Sequence, residues 1–269
     1  MDEIAQDCRD NALSRAGRER ILSVRGEPLF IAGWDRVLMI HYEVEKELLE
    51  RSVPLKLDLY QDRAFVSVVA FTMRDMRPFR GGRLTAWMLK PIATHEFLNV
   101  RTYVRSGGET GIFFLREWLS NRLSVCLGPY PFGLPYKYGR LEYQHAWQNQ
   151  KISGTAVDAR TQAAFTYRAK IQTPSEFGSC GAGSLDEWLM ERYTAFTNRA
   201  GRSRLFRVWH LPWQQMPLQV TILEQALIEE NWPFFDSATI TGSNFSPGLR
   251  DVWMGRPHRV LNAGNTAAF

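Results

Sequence analysis

Hydrophobic and polar positions along this chain alternate in short runs more often than they repeat at helical spacing. "RVLMIHYEV" (36–44), "LKLDLY" (55–60), "AFVSVVAF" (64–71) and "HEFLNVRTYV" (95–104) predict strands, with "QDR" turning the second into the third. Helical spacing marks "EVEKELLERSVP", closed by Pro54, and takes over from strand character within "GIFFLREWLSNRLSVCLG" at Trp118, Leu119, Arg122, Leu123 and Cys126. Segments 152–157 and 163–171 form an expected hairpin. Ser184 with Glu187 three residues on has capping-box spacing, ahead of a stripe at Leu185, Trp188, Leu189, Arg192 or Tyr193, and Phe196. A strand at 204–210, a helix at 218–230 after Pro217 and a short strand at 250–254 complete the prediction. The mixture is α+β.

One of these strands poses a problem. Alternation puts Glu96 in the row of Leu98, Val100, Thr102 and Val104, and puts Asn99, Arg101 and Tyr103 in the other. An ionised carboxylate costs several kcal/mol to bury alone. Glu96 must therefore meet a cation, such as one of the arginines of the preceding loop at the strand end, take up a proton or reach a solvated cavity.

Composition narrows the class. The chain has 269 residues, 45% of them hydrophobic, enough for a sizeable core. No repeat, linker or low-complexity tract divides it, so one domain over 28–255 is expected, with a polar extension at 1–27 lying outside the core and a tail at 256–269. No apolar run reaches membrane-spanning length and the first thirty residues lack an apolar signal region, which predicts a cytoplasmic protein without a membrane partner. Cys8, Cys126 and Cys180 are too few and too widely spaced for a disulfide framework or a zinc site, and the five histidines show no ligand spacing; no metal or other cofactor is expected. Lys and Arg (33) barely exceed Asp and Glu (28), and no nucleic-acid module is present, so a nucleic-acid partner is not expected. Phosphate loops, dinucleotide fingerprints and nucleophile elbows are absent from the sequence. Nothing in the pattern sets an oligomeric state.

Several residues remain as candidates for chemistry. Asn99, Arg101 and Tyr103 on one strand face offer a planar donor fork for a carboxylate; the competing reading is a solvated face with Arg101 bridging strands. Lys137, after the proline-rich turn, would be an amine nucleophile if desolvated and an ordinary surface lysine otherwise. His210 and Trp213 lie in "WHLPW", where His210 is either an acid or base or a histidine bonded to backbone at the core edge. Arg74, Arg77, Arg80, Arg83 and Lys90 surround the Gly81-Gly82 pair in a long loop of the kind that is often functional.

"IHYEVEKELLERSVP", "HEFLNVRTYV", "GLPYKYGRLEY", "GSLDEWLMERYTAF", "VWHLPW" and "NFSPGLRDVW", in this order, resemble the YqjF-like bacterial family, domain of unknown function 2071, over about Trp34 to Trp253. That family is similar in fold to acetoacetate decarboxylase, which implies an antiparallel β barrel or cone with an internal pocket and a few peripheral helices. In the decarboxylases a lysine forms a Schiff base with a keto acid and a second lysine lowers its pKa. The resemblance places Tyr136 where the Schiff-base lysine would stand and Lys137 where its helper would stand. It sets Glu96 near a pocket glutamate, so that its row would face a cavity shared with Tyr136, and Arg36 near a pocket arginine. The implied protein holds a carbonyl- or carboxylate-containing compound, with Glu96, Tyr136 and Lys137 near the reacting atom and Arg36, Asn99, Arg101, Tyr103, His210 and Trp213 around the ligand. The alternatives are a binding protein without turnover and a structural or interaction protein whose interior is filled by Trp87, Trp118, Trp147, Trp188, Trp209 and Trp213.

Overall fold

Residues 11–171 and 176–260 are described by a computed structural model. Cys8 and most of the C-terminal tail lie outside the described residues. Fifteen strands run in chain order: β1 (Phe30–Val44), β2 (Lys56–Leu57), β3 (Ala64–Pro78), β4 (His95–Ser106), β5 (Glu109–Leu119), β6 (Tyr136–Ala146), β7 (Lys151–Asp158), β8 (Ala164–Lys170), β9 (Gly178–Ser179), β10 (Thr194–Arg199), β11 (Arg202–Trp209), β12 (Gln214–Pro217), β13 (Gln219–Glu224), β14 (Thr239–Met254) and β15 (His258–Arg259). The fold is α+β, mostly strands.

Seven strands close on themselves in the order β1, β3, β4, β5, β10, β11, β14, because β14 pairs with β1 and β5 pairs with both β4 and β10. Most contacts are antiparallel; β5 meets β10 in parallel at Ile112 and Phe113. The far end of the same β5 edge, Glu117 to Leu119, takes β6 in parallel and starts an arm that continues through β7, β8 and β13. This arm explains the unbroken apolar run of β3, since strands covered on both faces need no polar row. Leu38, Ile40, Val66, Val68, Leu98, Val100 and Trp118 point out of the ring and form one core with Leu141, Ile152, Phe165, Leu227, Phe234 and Phe235. The ring interior carries a second, smaller cluster around Val37, Met39, Val69, Phe71, Phe97, Phe206 and Trp213. The larger solid core thus lies outside the barrel.

Helices are short and peripheral: α1 (Ala12–Leu22), α2 (Lys46–Ser52), α3 (Arg122–Leu127), α4 (Pro129–Phe132), α5 (Leu185–Met190) and α6 (Ala226–Glu229). Within the expected N-terminal extension, the described residues include α1, which is docked on the fold. Its Asn11 cap accepts from Leu13 and Ser14, Ile21 is fully buried, and the Ser14 hydroxyl donates to the His210 carbonyl at 2.8 Å. The helix expected at 218–230 is instead strand β13 followed by a single turn, because its alternating Val220 and Ile222 pair with β8. Ser184 caps the helix as expected, its Oγ accepting from the Glu187 N–H, but the reciprocal half of the box is displaced by one residue: the Glu187 carboxylate accepts from the Gly183 N–H, while the Ser184 N–H donates to the Gly181 carbonyl. The helix stops at Met190, and Phe196 belongs to β10. The strand expected at 250–254 is the end of the sixteen-residue β14.

Candidate functional site

The ring is hollow. A cavity of about 240 Å³ opens at one end, with largely apolar walls that include Trp34, Phe71, Phe97, Phe114, Phe206 and Trp213. Its polar lining comes from a few side chains on neighbouring strands: Asn99 and Arg101 of β4, Glu117 of β5 and Tyr136 of β6, joined by Arg192 just before β10 and by His95 and His210.

Register explains this grouping. Asn99 lies opposite Glu117 across the β4–β5 pair, and Glu117 lies opposite Tyr136 across the β5–β6 pair, so three strands present one polar row. On β5 the inward residues are Ile112 and Phe114, then Glu117. The one-residue change in parity is a β-bulge, at which Val100 pairs with Arg116 and Arg101 with Phe114. Without the bulge Arg116 would point into the cavity and Glu117 into the outer core.

The polar floor is underpaired. Arg101 is buried and makes no ion pair among the described residues; its Nη2 lies 3.7 Å from Met39 Sδ, and its Nε has no hydrogen-bond partner. Arg192 is held by Asp58 at 2.8 Å and by the Trp188 carbonyl at 2.5 Å, and its guanidinium stacks over the Trp188 ring. Its Nη2 is left without a partner. Asn99 Oδ1 and Glu117 Oε2 are likewise buried and unpartnered. Native interiors rarely leave such groups unpaired without a reason. Burial pushes the Glu117 carboxyl up to about 8, against a smaller opposing effect of Arg101, so at neutral pH it is chiefly the protonated acid. Burial, and then the nearby Glu117, raise the Tyr136 phenol well above its usual range.

The expected residues divide. Asn99, Arg101, Tyr136, His210 and Trp213 all line the cavity. Tyr103 continues the inward row beneath Arg101 but is buried below the cavity, its hydroxyl 2.5 Å from Ser67 Oγ, which lies 2.7 Å from His41 Nδ1. His210 Nδ1 is 2.7 Å from the Leu211 carbonyl, and burial lowers its pKa to about 4. The backbone-bonded alternative is thus met at Nδ1 even though the ring borders the cavity.

Glu96, Lys137 and Arg36 are not part of the lining. The cavity-facing row of β4 is His95, Phe97, Asn99 and Arg101; the row of Glu96 faces the outer core. Glu96 sits at the start of that row, half-buried, where its Oε2 accepts a 2.6 Å hydrogen bond from Ser120 Oγ just beyond the end of β5. The expectation that Glu96 shares a cavity with Tyr136 is therefore corrected: the carboxyl beside Tyr136 is that of Glu117. Strand alternation turns Lys137 away from Tyr136 onto the exposed face. Arg36 occupies the β1 bulge with φ +52° and points to Asp35 at 3.2 Å. Of the six tryptophans considered as interior filling, only Trp213 lines the cavity. Sequence reasoning missed Glu117, Arg192 and His95; the sole trace of Arg192 was its place in the stripe after Ser184.

Among the described residues no group of His, Cys, Asp and Glu could hold a metal ion, and no helix is long and apolar enough to cross a membrane.

Comparison with known proteins agrees with this architecture. The chain is 29% identical over 186 residues to the uncharacterized protein YqjF of Bacillus subtilis (strain 168), covering 67% of this chain and 72% of that one. Acetoacetate decarboxylase from Legionella pneumophila superposes with a TM-score of 0.59 at 15% identity, covering 87% of this chain and 88% of its own. An acetoacetate decarboxylase-like enzyme from Sphingomonas wittichii RW1 gives 0.57 at 16% identity, covering 87% and 94%. The enduracididine biosynthesis enzyme MppR complexed with pyruvate gives 0.58 at 12%, covering 89% and 92%. At these identities the likeness is one of fold. Residues 32–240 match the profile of DUF2071, an uncharacterized conserved protein family, and the chain belongs to that family.

Proposed function

We propose that the ring cavity binds a small compound bearing a carboxylate, and in its simplest form a 2-oxo acid with an apolar side chain. The observation that carries this reading is the set of buried, unpartnered polar atoms at the floor: Arg101 Nε, Arg192 Nη2, Asn99 Oδ1 and Glu117 Oε2. Two guanidiniums converge there, one already neutralised by Asp58, while Glu117 is protonated at neutral pH. The floor then carries one net positive charge. A monoanion matches it, with its carboxylate on the guanidinium N–H groups and the Glu117 O–H donating to a neighbouring carbonyl. The aromatic and methionine walls suit an apolar remainder. The pyruvate of the MppR complex supports the same class of ligand.

Tyr136 stands where the resemblance puts the Schiff-base lysine, Lys137 faces away, and no lysine lines the cavity among the described residues. The reading is therefore of binding without amine catalysis. A second reading, proton transfer to or from the bound compound, is favoured by the placement of the Glu117 carboxyl and its pKa close to neutral.

The test is calorimetric titration with pyruvate, phenylpyruvate and phenylacetate, repeated on Arg101→Met. Saturable binding lost in the variant supports the reading; no binding of any of the three, or equal binding by the variant, overturns it. Borohydride reduction in the presence of the 2-oxo acids separates the chemistries, since a covalent adduct would require a reactive amine.

A further inference from the structure

The two segments that frame the cavity mouth share an unusual composition. Residues 76–95 and 118–141 contain no Asp or Glu, although they hold Arg77, Arg80, Arg83, Lys90, Arg122, Lys137 and Arg140. The first includes an eleven-residue 3₁₀ segment, Gly82–Ile92, none of whose residues is buried. Such long 3₁₀ runs are uncommon, and one that buries nothing gains little from the fold beneath it. The second includes α3 and α4. Asn121 Nδ2 donates to the Pro91 carbonyl at 2.8 Å and ties the two together.

Both segments line the opening, through Leu89 and Ile92 on one side and Leu127, Pro131 and Phe132 on the other. Both also turn large apolar side chains outward. Leu84, Trp87, Met88, Leu123, Leu127 and Tyr130 make up six of the eleven large exposed hydrophobics among the described residues, with Leu84 85% and Trp87 74% exposed. Arg80, Arg83, Lys90 and Arg122 are exposed beside them and form no ion pair among the described residues.

We infer that the rim of the cavity docks onto an anionic lipid bilayer. The charge is complementary: Arg80, Arg83, Lys90 and Arg122 carry no acid partner among the described residues, while the acids beside these segments, Asp75, Glu96 and Asp251, lie at their ends or against Arg77. The rim thus meets lipid phosphates with net positive charge, and each such cation strengthens attraction to an anionic surface severalfold. The apolar set is complementary too, since Trp and Tyr settle at headgroup depth while Leu and Met enter the acyl boundary. A second copy fits less well, because a two-fold contact through this rim would set the same unpaired arginines against each other. An apolar-walled cavity opening at such a rim can receive an amphiphile directly from the bilayer.

The test is co-sedimentation of the full chain with vesicles of phosphatidylcholine alone and of equimolar phosphatidylcholine and phosphatidylglycerol. Expected are binding to the anionic vesicles only and its weakening at high salt. Arg80→Gln with Arg83→Gln should weaken partitioning about thirtyfold, and Leu84→Ser with Trp87→Ser should also weaken it. Arg168→Gln with Lys170→Gln, an equal loss of charge on the exposed face of β8, should leave it unchanged. Absence of binding to anionic vesicles overturns the inference. So does equal weakening by the β8 pair, and so does a solution dimer that Trp87→Ser dissociates without any vesicle binding.

Discussion

Glu117→Gln should stabilise the protein at neutral pH while keeping ligand binding, because the amide is neutral like the protonated acid and still offers a donor. The carboxyl is 3% exposed, and burial raises its pKa from an ordinary 4.5 to about 8. A raised carboxyl pKa means that the native state keeps a proton that the unfolded chain has released. Its contribution to stability is therefore fully present below about pH 4.5 and is lost as pH rises toward 8. At pH 7 the unfolded carboxyl lies about 2.5 units above its own pKa, and recovering the proton on folding costs about 3 kcal/mol at about 1.4 kcal/mol per unit. The uncharged, isosteric amide avoids that cost. Thermal unfolding at pH 7 should show Glu117→Gln melting roughly 6–12 °C higher, with a gap to wild type that narrows toward pH 5. Parallel pH profiles for the two proteins would show that Glu117 titrates in the native state as it does in the unfolded chain, and would refute the reasoning.

Four further outcomes are expected. Arg101→Met should weaken binding of the 2-oxo acid probes at least tenfold, roughly the loss of one buried charge-assisted contact, with little loss of stability because the buried guanidinium has no carboxylate partner; calorimetric titration and urea unfolding check the two halves. Borohydride with pyruvate or phenylpyruvate should leave the mass of Lys137 peptides unchanged, since Lys137 faces away from the cavity. His41, lowered to about 3, and His95, His145 and His210, each lowered to about 4, are held neutral chiefly by burial. Their depressed values make stability fall as pH drops from about 6.5 toward 4, by about 1.4 kcal/mol per unit for each group, partly offset by Glu117 and Glu191, whose pKa values are raised; a flat unfolding profile over that range would count against it. Gly111→Ala should destabilise by roughly 2–4 kcal/mol, because its Cβ would stand 2.2 Å from the Thr194 carbonyl where β5 approaches β10; an unchanged urea midpoint would show that the two strands can separate freely.

Much of the strand pattern was legible, because a residue's face follows from parity alone. The alternation of β4 correctly put Asn99, Arg101 and Tyr103 in one row. What parity could not say is which side of the sheet is hollow. The apolar row suggested a cavity wall, but apolar side chains serve equally well against a second layer, and the β6–β8 arm supplies that layer. Glu117 was hidden for a different reason. Its inward direction depends on a bulge that inverts the parity of β5 midway, and the flanking apolar residues fit a helical stripe as well as a strand. Arg192 was obscured because the capping-box spacing at Ser184 marks where a helix begins but not where it ends, two residues before this arginine. In β13, helical and strand spacing coincide over a short apolar segment, and pairing with β8 decides between them.

The most direct measurement is a crystal of the protein soaked with phenylpyruvate. Density should show the carboxylate against Arg101 and Arg192 and the phenyl group among Phe71, Phe97 and Trp213. An interior that admits only water while the ligand sits elsewhere, or a ligand whose carboxylate points away from both guanidiniums, would contradict the account.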